Sequence, residues 1–304
     1  MQLDLPEKYI EAVKKTYGKN GEKWMKDLPD LLSQCAAKWN IKIGETGSNL
    51  SLNYIANVQL ENGEEAILKT MPHGPPFMEM EALEHLQDHP GIVNLIHSDH
   101  DLAAMVIEKV SPGTSLREIQ KNDDEEATRI GAEVIRDVQA EVPKKHTLRT
   151  VSKEMEVIKK VRGTDIPDKE TIVMLDKALI LLDELESSTS ELMLIHGDLH
   201  HDNILLDDER GWLAIDPKGR IGDPVYNAAR FIQNMWDTKP TEDLLRKRIQ
   251  IMADVLGYDQ KRLTAWAYLD CVLSESWDLD EQGKREEKEK PVITLIESIL
   301  DSFS

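Results

Sequence analysis

The stretch Ile195-His196-Gly197-Asp198-Leu199-His200-His201-Asp202-Asn203-Ile204-Leu205-Leu206 runs from an apolar segment through a polar loop into a second apolar segment. Shortly after it, Leu213-Ala214-Ile215-Asp216-Pro217 brings a further carboxylate at the end of a strand-like Trp212-Leu213-Ala214-Ile215. Apolar runs on both sides predict buried strands that hold the polar groups between them still. Catalysis by positioning requires that stillness.

Phosphoryl transfer is the chemistry that uses this set. One carboxylate orients an attacking hydroxyl or accepts its proton, while an amide oxygen and a second carboxylate hold Mg2+ against the phosphates of ATP. Asp198 fits the first role, and Asn203 and Asp216 fit the other two. His196 to Asn203 spells His-x-Asp-Leu-x-x-x-Asn, the pattern of a kinase catalytic loop. A solvated loop would account for any one of these residues, and His200 with His201 suggests a metal site only weakly. The three residues together, each beside a strand-like run, favour a phosphotransferase loop.

With 304 residues, the chain is long for one core and short for three domains, so two lobes are expected, with 40% hydrophobic residues to build them. No apolar run reaches 18 residues, so no membrane span is expected. The segment Met1–Lys8 lacks a basic start followed by an apolar core, so no secretory signal is read there. Cys35 and Cys271, far apart in helix-like contexts, read as buried thiols of a reducing, cytoplasmic compartment. A formal net charge of -20 argues against nucleic acid and anionic membrane surfaces as partners. It is compatible with a cationic small-molecule acceptor. Nothing in the sequence bears on the oligomeric state.

Along the chain, residues 6–17 show helical apolar spacing from Pro6 to a stop at Gly18, and a second helix over 21–39 is interrupted at Pro29. Both are expected to pack on the outside of the first lobe. From Ile41 the pattern becomes strand-like: 41–44, a Gly/Ser/Asn loop over 45–51, then an alternating 52–60. An Asn62-Gly63 hairpin turn leads into Glu65-Ala66-Ile67-Leu68-Lys69. A lysine at the end of that strand matches the kinase lysine that contacts the α- and β-phosphates. The loop over 44–51 lacks a G-x-G-x-x-G, so its phosphate contacts are expected from backbone N–H groups with Ser48 and Asn49. In the helix over 77–87, one of Glu79, Glu81 and Glu84 should pair with Lys69. Glu79 is the expected one, because Met78, Ala82 and Leu83 would form the packed face beside it. Strands over 92–97 and 102–110 follow. The segment ending at Ser111-Pro112-Gly113 reads as the hinge, where backbone groups of Glu108 and Val110 would read adenine.

The remainder is mainly helical, with helices over 114–121, 124–141, 152–162, 168–188 and 226–236 and three more to the C-terminus. The fold class is therefore α+β. A small antiparallel β-sheet lobe over 1–110, with two helices before it, binds the nucleotide, and a larger helical lobe over 111–304 carries the catalytic loop and the acceptor site.

The motif His196–Asn203, with Ile215-Asp216-Pro217-Lys218-Gly219, resembles the aminoglycoside phosphotransferases, which share the protein-kinase-like two-lobe fold. More narrowly, it is similar to the streptomycin 6-kinase and hydroxyurea phosphotransferase branch. Gly21–Pro29, the strand ending at Lys69, Pro112-Gly113-Thr114-Ser115-Leu116 and Gly222-Asp223-Pro224 carry the rest of the likeness. The resemblance implies transfer of the ATP γ-phosphate to a hydroxyl and an acidic acceptor pocket in the helical lobe. Two positions depart from the pattern. Asp202 stands where many members have glycine. Asn227 stands where an aspartate usually follows the Asp-Pro turn, which would remove a carboxylate that braces the loop. Asp223, Asp237, Glu275 and Asp278 are candidate acceptor-side carboxylates, each more readily an ordinary surface acid. The alternative readings are a kinase of another metabolite (an amino alcohol, a sugar or hydroxyurea) and a non-catalytic nucleotide-binding module. The module is disfavoured because Lys69, Asp198, Asn203 and Asp216 are all present.

Overall fold

The structure, a computed structural model, describes residues 3, 5–47, 50, 52–72, 78–87, 89–234, 239–282 and 290–303. The chain groups into two compact units, one of Met1–Gln87 with Val93–Val110 and one of Asp88–Ile92 with Ser111–Ser304.

The first unit contains α1 (Glu7–Trp39), β1 (Lys42–Thr46), β2 (Tyr54–Gln59), β3 (Glu65–Thr70), α2 (Met78–Leu86), β4 (Leu95–Asp99) and β5 (Ala104–Glu108). Its strands form one antiparallel sheet in the order β1-β2-β3-β5-β4. The β2–β3 hairpin turns at Asn62-Gly63, where Gly63 takes a φ of 89° that glycine alone adopts readily. Two helical runs make up α1, broken where Gly18 leaves helical geometry. The expected interruption at Pro29 does not occur. Leu28, Leu31, Leu32 and Cys35 bury one face around it and hold the helix straight through. That face packs on Tyr54, Ala56, Val58, Ala66 and Leu68, the alternate residues of β2 and β3. Cys35 is buried in this unit, and Cys271, whose thiol donates to Gln233 Oε1 at 3.3 Å, is buried in the second.

The second unit contains β6 (Pro112–Ser115), α3 (Leu116–Gln120), α4 (Asp124–Asp137), β7 (Gln139–Glu141), β8 (Arg149–Thr150), α5 (Val151–Arg162) and α6 (Lys169–Ser188). It continues with β9 (Met193–Ile195), β10 (Ile204–Asp207), β11 (Gly211–Ala214), β12 (Arg220–Gly222), α7 (Ala229–Gln233), α8 (Glu242–Leu256), α9 (Gln260–Gln282) and α10 (Lys290–Asp301). Its helices start on residues suited to the task. The side chains of Asp123, Thr150, Asp168 and Thr241 each accept an N–H of the first turn. Residues 263–276 of α9 are buried all round, as a central helix of a helical core must be.

Several boundaries differ from expectation. The short strands β6 and β7 carry no hydrophobic alternation, so only backbone pairing to β10 and β9 reveals them. The helix expected over 124–141 ends at Asp137, where Val138 leaves helical geometry. The helix expected over 226–236 is a 3-10 turn, Pro224–Ala228, followed by the five residues of α7. Residues 235–238, including Asp237, lie outside the described residues.

Two small sheets of this unit matter most. One has the order β11-β10-β6 and the other β7-β9-β12-β8. The chain leaves β9 in the second sheet, enters β10 in the first, turns into β11, and returns to β12 in the second. Residues 196–203 and 215–219 therefore run side by side between the sheets. They are backed by Phe231 of α7, whose ring lies 4.0 Å from that of His201. Gly131 of α4 is the position that admits Phe231, because a Cβ there would lie 2.3 Å from its ring. Phe231 is fully buried and has nowhere to retreat. Gly131→Ala should destabilise the protein by about 1–3 kcal/mol through overpacking. Urea unfolding is the check, and an unchanged midpoint would contradict this account of the packing.

Candidate active site

Each site side chain in the second unit sits on one of the two crossing segments, which are joined to each other by hydrogen bonds. His196 Nε2 lies 2.8 Å from Ile215 O, and its Nδ1 accepts the Asp198 N–H at 3.2 Å. Gly219 N–H donates to His196 O at 3.1 Å and Ile215 N–H to Asn203 O at 2.9 Å. Burial lowers the His196 pKa to about 4, so the ring is neutral near pH 7. Its proton then sits on Nε2, and both ring nitrogens are used.

Within the first segment, Gly197 takes a φ of 80°, and a Cβ there would lie 2.6 Å from Arg220 Cγ. The close approach and the left-handed backbone both require glycine. Gly197 N–H donates to Asn227 Oδ1 at 3.2 Å. The brace that an aspartate was expected to supply is therefore present, made by an amide oxygen. His200 Nδ1 accepts the Asp202 N–H, opening the 3-10 turn His201–Asn203, and Ser115 Oγ donates to His201 O at 3.0 Å. His201 is buried against Phe231, and burial drops its pKa to about 2, so it packs as a neutral ring. Asp202, in the glycine position of the pattern, faces Arg117 at 3.7 Å.

Asp198 lies between two cations, Lys218 Nζ at 3.1 Å from Oδ2 and Arg230 Nε at 3.6 Å from Oδ1. Burial pushes its carboxyl pKa up, but the Lys218 and Arg230 charges outweigh this and hold it below the usual carboxylate range. The carboxylate is thus kept ionised, as a proton acceptor must be. Arg230 is itself anchored by Asp270 of α9, 3.2 Å away and 1% exposed. Asp270 also accepts from Tyr226 Oη at 2.7 Å and Gln233 Nε2 at 2.5 Å.

Asn203 Nδ2 donates to Asp198 O at 3.0 Å, which leaves the amide oxygen as the end suited to a cation. Asp216 adopts a φ of 58° at the head of the second segment. An amide oxygen and a carboxylate on two hydrogen-bonded segments fit Mg2+, which takes one or two protein ligands and fills its octahedron with water and phosphate oxygens. No group of three or more His, Cys, Asp or Glu suited to an all-protein metal cage occurs among the described residues.

In the first unit, Lys69 of β3 is 2% exposed and its Nζ lies 2.5 Å from Glu79 Oε1 of α2. Asn53 Nδ2 donates to the other carboxylate oxygen at 3.4 Å. Glu79 pairs with Lys69 as expected, and Glu84 holds Ser98 and His100. The Glu108 carboxylate accepts both the N–H and the side-chain amide of Asn94, and Glu108 N–H donates to Asn94 O at 3.0 Å. Val110 is the last residue of this unit. Ser48 and Asn49 lie outside the described residues.

Two of the candidate acceptor-side acids, Asp223 and Glu275, are buried rather than ordinary surface groups. Asp223 is 5% exposed and accepts from Trp266 Nε1, Val225 N–H and Arg262. It fixes the turn into Pro224. Glu275 is buried in α9, and Asp278 is half-buried. Sequence reasoning missed the cations at Asp198. Lys218 was visible inside the quoted Pro217-Lys218-Gly219, whereas Arg230 lies too far along the chain for any spacing rule to connect it.

Among known proteins, the family model described as aminoglycoside/hydroxyurea antibiotic resistance kinase matches residues 41–283. Streptomycin 6-kinase of Streptomyces glaucescens is 24% identical over 92% of each chain. The crystal structure of choline kinase LicA from Streptococcus pneumoniae superposes with a TM-score of 0.63 at 15% identity, over 90% of this chain and 99% of the other. An amicoumacin kinase, hAmiN, solved with AMP-PNP, Ca2+ and Ami, gives a TM-score of 0.61 at 16% identity over 91% and 94%. The two structures share the protein-kinase-like α+β fold. The chain is a phosphotransferase and belongs to the aminoglycoside/hydroxyurea antibiotic resistance kinase family.

Proposed function

We propose that this kinase uses ATP and Mg2+ to phosphorylate a hydroxyl group of an aminoglycoside such as streptomycin. The observation that carries the reading is Asp198. It is a carboxylate held ionised between two cations, on a segment whose backbone is tied at Gly197, Asp198 and Asn203. The streptomycin 6-kinase relative, aligned over 92% of both chains, supports the acceptor class. The net charge of -20 would draw a polycationic acceptor towards the protein.

In this reading residues 1–110 form the nucleotide lobe and 111–304 the acceptor lobe. Lys69, aimed by Glu79, holds the α- and β-phosphates. Backbone groups of Glu108 and Val110 read adenine, and the loop with Ser48 and Asn49 covers the phosphates. Asn203 and Asp216 hold Mg2+, which when bound neutralises charge on the phosphate oxygens. The acceptor oxygen forms a bond to the γ-phosphorus as the bond from that phosphorus to the β–γ bridging oxygen breaks. ADP leaves with the electron pair, and the hydroxyl proton passes to Asp198. Positioning and charge neutralisation supply the rate, with no covalent enzyme intermediate.

A small neutral acceptor such as hydroxyurea is the second reading. The observation favouring it is the pair Lys218 and Arg230, which disfavours a positive charge close to the reacting hydroxyl. Turnover of Mg-ATP against streptomycin, other aminoglycosides, hydroxyurea, amino alcohols and sugars separates the two. Streptomycin-dependent turnover is the expected result, and turnover with hydroxyurea alone would replace it.

Asp198→Asn should lower kcat by about 10²–10⁴-fold while AMP-PNP binding stays nearly unchanged. Full activity in that variant would remove Asp198 from the role of base. Lys69→Met should lower kcat/KM for ATP by about 10²-fold. Removal of divalent cations with EDTA should abolish turnover, and added Mg2+ should restore it. Turnover that persists in EDTA would remove the metal from Asn203 and Asp216.

A further inference from the structure

Lys218 belongs to the quoted segment Ile215–Gly219, and beyond helping to keep Asp198 ionised it has so far been given no task in the reaction. Its position is built rather than incidental. Arg220 Nη1 donates to Lys218 O at 2.6 Å and to Gly219 O at 3.0 Å, and Arg220 Nη2 is itself fixed by Glu154 at 2.8 Å. Gly219 N–H is held by His196 O, and Asp216 and Gly219 both take left-handed backbone angles. The loop therefore turns back over the first segment. At the far end of the side chain, Nζ sits 6.0 Å from the centre of the Trp277 ring, at the limit of a cation–π contact. A solvated lysine would spread over many rotamers, whereas this one is restrained at its backbone and at its tip.

The two oxygens of Asp198 are not equivalent. Lys218 Nζ lies within hydrogen-bond distance of Oδ2, at 3.1 Å. Arg230 Nε, at 3.6 Å from Oδ1, does not, because Asp270 at 3.2 Å and Ser274 Oγ at 3.3 Å hold the guanidinium elsewhere. A carboxylate free to turn would exchange its oxygens; an ammonium on one of them removes that freedom.

We propose that Lys218 is a positioning residue for phosphoryl transfer, occupying Asp198 Oδ2 so that Oδ1 is the oxygen that meets the acceptor's hydroxyl. The inference rests on the reading of Asp198 as the base. The hydroxyl O–H bond breaks with its proton passing to Oδ1 as the new O–P bond forms and ADP departs with the electron pair of the broken P–O bond.

A double-mutant cycle on the full chain tests this, with Lys218→Met and Asp198→Asn singly and together. Turnover of Mg-ATP is measured with streptomycin and, in parallel, with water as acceptor, and AMP-PNP binding is measured at equilibrium. Lys218→Met should lower kcat by about 10–100-fold and leave the AMP-PNP Kd within about twofold. The same change should have no further effect in the Asp198→Asn background, because a residue that acts through Asp198 has nothing left to position. Lys218→Arg should recover much of the loss. Lys218→Cys alkylated with bromoethylamine, which rebuilds an ammonium at nearly the same reach, should recover it too.

A loss that carries over in full to the Asp198→Asn background would overturn the proposal. So would an AMP-PNP Kd that rises in step with the lost kcat/KM, which would make Lys218 a nucleotide ligand. The Asp198→Asn chain alone decides the reading beneath: if it turns over at the wild-type rate, the base assignment fails whatever Lys218 does.

Discussion

The His196 imidazole holds the site in register. Two segments that leave one small sheet and enter another have few ladder bonds to fix their offset, so something between them must set it. His196 does this with no exposed surface, by meeting Ile215 O with one nitrogen and the Asp198 N–H with the other. One nitrogen must donate and the other accept, which only the neutral ring can do. Burial keeps the ring neutral, with a pKa near 4. The same apolar surroundings that would penalise a charged histidine therefore stabilise the hydrogen-bond pattern that joins Asp198 to the Asp216 segment. Gly219 N–H to His196 O and Ile215 N–H to Asn203 O extend the joint on both sides.

Charge acts in opposite senses on two length scales. The molecule as a whole is strongly acidic, which favours approach of a cationic acceptor over distances limited by salt screening. Around Asp198 the field is reversed, because Lys218 and Arg230 face a single carboxylate. The local term decides the protonation state, since the pairs are close and only partly exposed to solvent. Arg230 stays in place because Asp270, buried on α9, is its counter-ion. Removing Asp270 would leave Arg230 free to take Asp198 Oδ1 for itself. The distance of α9 from Asp198 in sequence thus says little about its bearing on that carboxylate.

The fold and the central motif were legible because their signals are local. The β2–β3 hairpin follows from alternation and Asn62-Gly63, and the segments 196–203 and 215–217 follow from polar residues between apolar runs. The Lys69–Glu79 pair followed from placing a strand-end lysine beside one helix face. What stayed hidden depends on partners distant in the chain. Pro112–Ser115 becomes a strand only because β10 lies beside it, and Pro29 stays helical only because its neighbours bury against the sheet. Asp223 read as a surface acid because Arg262 and Trp266, which surround it, lie 39 and 43 residues further on in a helix that sequence order does not connect to it.

Asn227 shows why a departure from the family pattern need not weaken the loop. The task at that position is to accept the Gly197 N–H, one residue before Asp198, and an amide oxygen does so at 3.2 Å. A carboxylate would accept more strongly. At 2% exposure, though, it would also bury a further negative charge against the backbone one residue before Asp198. The amide supplies the acceptor without the charge. The cost is the second end of the amide, whose Nδ2 is buried without an acceptor among the described residues. An unmet neutral donor is a smaller penalty than an unmet buried charge. Asparagine at this position therefore exchanges some hydrogen-bond strength for one fewer buried charge beside the Asp198 segment.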